Sequence, residues 1–159
     1  DEFSWTLLIE RMNLEYRKRL ARDPYYFQEK TLFVEFARGG VSGLRDAFSH
    51  LDPGMLRNAC VIYINVSFEE SLRKNRLRAR PGQQDSILYH SLPDEKMSFY
   101  YKINDWERLA TEKQGMLSVQ GVEVPYAVID NEPDQTSDLR KLEPALESAF
   151  VRIRSVRET

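Results

Sequence analysis

Cys60 to Arg80, CVIYINVSFEESLRKNRLRAR, joins a strand pattern directly to a basic helix. Its first seven residues, to Val66, are almost all apolar, with β-branched and aromatic side chains, as expected of a strand buried on both faces. Ser67 follows as a helix cap, with Glu69 and Glu70 in the first turn, where the helix dipole favours acids. The helix then carries Arg73, Lys74, Arg76, Arg78 and Arg80 before Pro81-Gly82 stops it.

Toward the N-terminus, Lys30 to Phe36, KTLFVEF, has the same buried-strand character and runs into Arg38-Gly39-Gly40 and Ser42-Gly43. Val124 to Ile129, VPYAVI, is a third core strand, with Pro125 confined to its start or to a bulge. Gly115 to Val124, interrupted by Gly121, reads as a small hairpin. Between the strands lie helical stretches. One opens at Ser4 and repeats Leu8, Met12, Tyr16 and Leu20, ending at Asp23-Pro24. Others run from Gly43 to Leu51, from Pro53 to Asn58, from Met97 to Tyr101 and from Asp105 to Thr111. The last starts at Ser137 or Asp138 and repeats Leu139, Leu142, Leu146, Phe150 and Ile153. Three strands alternating with helices predict an α/β fold with parallel βαβ units over one domain, residues 1–159. In such units the loops after the strands form the site. Here they are Arg38 to Ser42, Ser67 to Glu70, and Asp130 to Asp134.

Composition narrows the function classes. The net charge of -2, from 23 basic and 25 acidic side chains, makes nucleic acid an unlikely partner and requires any basic site to be local. No apolar run approaches the ~18 residues of a membrane span, so a cytoplasmic setting is expected. Cys60, the one cysteine, reads as a buried strand residue, and with His50 and His90 it makes no metal site.

The segment Val61 to Arg80 resembles the strand, acidic helix start and arginine-rich lid of nucleoside and nucleotide kinases of the deoxynucleoside and thymidylate kinase group. The informative spacing is Arg76-x-x-x-Arg80 with Arg73 one turn earlier, which places three guanidinium groups on one helical face for a single polyphosphate. The bland alternative is a solvated face paired in part with Glu69 and Glu70. Leu32 to Ser42 is similar to the strand and acid-arginine turn that these kinases place beside the acceptor. Glu35 would orient the acceptor hydroxyl or a magnesium-bound water, and Arg38 would hold the acceptor or the phosphate in transfer. Glu35 has an alternative role as a structural partner, because two residues separate it from Arg38. By the same resemblance Asp130, Asn131 and Glu132 pass the donor's adenine, largely through backbone, and a plain surface turn is an equal alternative. Tyr100 and Tyr101 could stack on a base, although packing is the commoner role for such aromatics.

The resemblance therefore implies a three-layer α/β/α P-loop kinase-like fold with a mostly parallel sheet, a lid over about 73–94, and ATP and magnesium as cofactors. It implies phosphoryl transfer to a nucleoside, nucleotide or similar small acceptor. A homodimer is compatible with it. What the sequence does not contain is G-x-x-x-x-G-K-[ST], since none of the seven glycines precedes a lysine. In the resembled fold that loop follows a strand lying between the two matched to Lys30–Phe36 and Cys60–Val66. Three explanations stand: a longer kinase of which this is the C-terminal portion, a partner chain that supplies the loop, or a non-catalytic nucleotide- or protein-binding module that has lost it.

Overall fold

The computed structural model describes residues 2–78 and 91–158. Its sheet has three strands in the order β1, β3, β2. β1 (Val61–Asn65) runs parallel to β3 (Val122–Asp130), with Val61 opposite Tyr126 and Asn65 opposite Asp130. β2 (Gln114–Val119) is antiparallel to β3, closing the expected hairpin through Gln120 and Gly121. Both turn residues have positive φ, 52° and 74°, as two-residue hairpin turns require.

Pro125 shows how a proline is accommodated in the central strand. The N–H of Val128 bonds the Lys113 carbonyl on the β2 side, so alternation turns the nitrogen of Pro125 toward β1. Pairing with β1 begins only at Tyr126. The missing donor therefore falls outside the ladder.

Lys30 to Phe36 does not join the sheet. Backbone of this composition becomes a strand only when a partner satisfies its N–H and C=O groups, and among the described residues no strand pairs with it. It runs as an irregular segment with Phe33 84% exposed, while Phe36 packs edge-on against Phe48 at 5.9 Å. The sheet is consequently mixed, with one parallel and one antiparallel pair, rather than mostly parallel.

Alternation along β3 divides the core. Val124, Tyr126 and Val128 enter one cluster with Ile9, Leu44, Phe48, Leu56 and Trp106. Ala127 and Ile129 enter the other, with Ala149 and Ile153 of α8 (Leu139–Arg157). Asp138 caps α8 by accepting the Arg140 N–H at 3.0 Å. The expected leucine stripe of α8 is displaced: Leu139 and Phe150 are exposed, and the small Ala149 meets the sheet.

In α1 (Glu2–Arg22) the buried face is Ile9, Asn13 and Tyr16, not Leu8, which is exposed. Asn13 donates to the His50 carbonyl at 2.6 Å and accepts the Asp52 N–H at 2.9 Å. It thereby fixes the link between α3 (Gly43–Ser49) and α4 (Pro53–Arg57). Single turns form α2 (Tyr26–Glu29), which follows α1, and α7 (Trp106–Leu109), which precedes β2. Cys60 lies one residue before β1 and is exposed, and β1 itself is only partly covered, with Ile64 and Asn65 exposed: among the described residues it is an edge strand with β3 on one side, not the strand buried on both faces that its composition suggests. It borders a shallow cleft with Phe150, Ile153, Arg154 and Arg157. Among the described residues no helix is long and apolar enough to cross a membrane.

Candidate anion-binding site

The parallel strands β1 and β3 end side by side, and the chain ties their ends together. Asn65 donates to the Asp130 carboxylate at 3.1 Å, and the Asn131 N–H bonds the Asn65 carbonyl at 2.8 Å. Lys113 pairs with Asp130 and, with Asn65, holds its carboxyl below the usual range. Asn131, 3% exposed, accepts the N–H groups of Gln135 and Thr136 at 2.7 and 3.2 Å. Its side chain shapes the loop from within rather than projecting toward a ligand.

α5 (Phe68–Arg78) starts from this corner. The Ser67 hydroxyl accepts the Glu70 N–H at 3.1 Å, the cap expected from the sequence. The Ser67 N–H bonds Glu132 at 2.5 Å, and Lys74 bonds Asp134 at 2.6 Å, so α5 is locked to the loop after β3. The Lys74 ammonium holds the Asp134 carboxyl well below the ordinary carboxylate range.

The arginine face extends from there. Nε and Nη2 of Arg73 each donate to Glu70 at 2.6 Å, a bidentate fork. Arg76 is forked by Asp94, its Nε 3.1 and 3.2 Å from the two carboxylate oxygens and its Nη2 on one of them. Asp94 is the first residue of α6 (Asp94–Tyr101). Beside it, buried Asn75 donates to the Leu92 carbonyl at 2.7 Å and accepts the Leu92 N–H at 3.0 Å. Arg80, Pro81-Gly82 and the connector as far as His90 lie outside the described residues.

The residues expected from the sequence to face an acceptor sit at the other end of α6, roughly 9 Å along its axis from Asp94 at 1.5 Å per residue. Gly40, with φ +103°, donates to the Ile103 carbonyl at 2.7 Å. Gly39 lies against the carbonyls of Tyr100 and Ile103, so close that a Cβ there would overlap the first and lie 2.8 Å from the second. Glu35 is exposed. Arg38 is half-buried, and its Nη1 is buried without a hydrogen-bond partner among the described residues. No hydrogen bond or ion pair among the described residues joins Glu35 or Arg38 to Arg73 or Arg76, so the structure leaves two groups of candidate residues joined by α6. Tyr100 and Tyr101 pack near each other with ring centroids 6.3 Å apart.

Three residues that organise this region were not singled out from the sequence. Asp94 and Asn75 reach partners 17 or 18 residues away, and Asp105 accepts the N–H groups of Leu44 and Arg45 at 2.9 and 3.0 Å, capping α3 from sixty residues downstream. Only the Arg73–Glu70 pair carries a local signal, the three-residue spacing on a helix. Among the described residues no group of three His, Cys, Asp or Glu is arranged to hold a metal ion. Compared with family models, curated proteins and solved structures, the chain matches none.

Proposed function

We propose that this protein handles a polyphosphate, as the α5 and acceptor side of an ATP-dependent phosphotransferase acting on a nucleoside, nucleotide or similar small acceptor. The observation that carries the reading is the pair of guanidinium forks at Arg73 and Arg76, each already filled by a carboxylate. A carboxylate and a phosphate present the same two parallel acceptors to arginine, and the phosphate carries more charge. The helix bearing these forks starts where two parallel strands end, the place where open α/β sheets bind ligands. The Nη1 of Arg38, buried without a partner among the described residues on a loop fixed by Gly39 and Gly40, supports an anionic acceptor group nearby. Magnesium enters only through the resemblance.

The three-layer kinase-like arrangement belongs to the same proposal. β1 is hydrogen-bonded to β3 on one edge, Ile64 is 44% exposed, and Leu32 and Phe33 stand in solvent on an unpaired segment. One further strand between β1 and residues 30–36, carrying the phosphate-binding loop, would satisfy both edges.

Magnesium-dependent ATP turnover with a panel of nucleosides and nucleotides tests the reading in the complete polypeptide. Arg73→Ala and Arg76→Ala should each lower turnover by about 100- to 1,000-fold, the range for removing one preorganised transition-state donor. Turnover unchanged in both variants contradicts it. Arginine-dependent ATP binding without turnover selects instead the binding module that performs no chemistry.

A further inference from the structure

Three basic side chains of α5, Arg73, Lys74 and Arg76, form ion pairs among the described residues, and they are not equivalent. Lys74 and Asp134 are both largely covered, their side chains 24% and 22% exposed, and their bond joins α5 to the loop after β3. Arg73 and Arg76 are 54% and 61% exposed, and they face solvent on the side away from the core. Their partners Glu70 and Asp94 come from the first turn of α5 and the first residue of α6. Each carboxylate takes Nε and Nη2, the edge of the guanidinium that makes a bidentate bond.

We propose that Glu70 and Asp94 are built-in counter-ions, which a ligand with at least two phosphoryl groups displaces from Arg73 and Arg76. The inference rests on the phosphate reading of α5 and adds what sets affinity and selectivity there. Exposed ion pairs are weak because water solvates the separated charges almost as well. Phosphoryl oxygens carrying two or more negative charges therefore compete with them effectively. For one molecule to fill both forks, three residues apart, it must carry two or more phosphoryl groups. A single orthophosphate gains one fork while the other carboxylate stays in place and repels it. The Lys74–Asp134 bond is left intact, so α5 stays anchored through the exchange.

The test is calorimetric titration of the full chain with inorganic tripolyphosphate and with orthophosphate, without magnesium, at fixed ionic strength. Glu70→Gln and Asp94→Asn keep side-chain size and remove the competing charge. Each should tighten tripolyphosphate binding by about two- to five-fold, the range set by exposed pairs, and narrow its preference over orthophosphate. Circular dichroism confirms that both variants fold. Unchanged or weaker tripolyphosphate binding in both overturns the exchange. Arg73→Gln and Arg76→Gln separate this failure from a larger one. If these two weaken binding while the carboxylate variants do not tighten it, the counter-ion role alone is wrong. If they bind like wild type, or if wild type binds no tripolyphosphate, the phosphate reading falls with it.

Discussion

The side-chain amide of Asn75 bonds both backbone groups of Leu92, at 2.7 and 3.0 Å, and so holds the approach to α6 against α5. An amide side chain opposite a peptide reproduces one rung of a β-ladder, and Asn75 is 7% exposed. Asn75→Ala leaves both Leu92 groups without that partner and should destabilise the fold by about 1–3 kcal/mol. Urea denaturation measures it, and a midpoint equal to wild type would show that Leu92 finds another partner.

A second long-range bond predicts a second sensitive position. The Asp105 carboxylate, 2% exposed, accepts the N–H groups of Leu44 and Arg45, the second and third residues of α3. Removing a cap costs about 0.5–2 kcal/mol, so Asp105→Ala should lower the thermal midpoint by several degrees. Asp46→Ala, on an α3 side chain bonded to Ser42, serves as a comparison of smaller effect.

Gly39→Ala should be more disruptive than a glycine substitution in an open loop. The new methyl would overlap the Tyr100 carbonyl and approach that of Ile103, and backbone cannot rotate aside as a side chain can. Overpacking of this kind costs about 1–3 kcal/mol, and it would also loosen the seat of Arg38. Thermal melting of Gly39→Ala beside Gly54→Ala, where the nearest atom is the Asp52 side chain, separates the effects.

Acid should weaken the site before the core. Arg73 lowers the Glu70 carboxyl, Arg76 that of Asp94, Ser67 that of Glu132 and Lys74 that of Asp134. Each folded-state pKa lies below its unfolded value, so the stabilisation is present above about pH 4 and is lost as pH falls through the folded values. The thermal midpoint should hold nearly level from about pH 7 to 5 and drop below about pH 4. A midpoint that rises on acidification from pH 5 to 3 would contradict this.

β1, β3, α5 and α8 were legible in the sequence because each is bounded by a local signal: Ser67 and Asp138 as caps, Gly121 at the hairpin, and continuous apolar character in VIYIN and VPYAVI. Lys30 to Phe36 was misread because its composition describes what a strand requires and not whether a neighbour supplies the bonds. The α1 face was misread at Leu8 because Asn13, a polar residue, occupies the buried stripe to bond His50 and Asp52. In the site, Glu70 was visible as a neighbour of Arg73, whereas Asp94 was not visible as the partner of Arg76. Helical spacing reports contacts within a turn, and Asp94 belongs to another helix, α6, eighteen residues later in the sequence.

If Arg73 and Arg76 together hold a polyphosphate, titration of the full chain with ATP separates wild type from the Arg73→Gln/Arg76→Gln double variant. Wild type should bind at least about tenfold more tightly than the double variant, as expected for losing two charge-assisted forks. Equal affinities, with both proteins folded, would contradict the account.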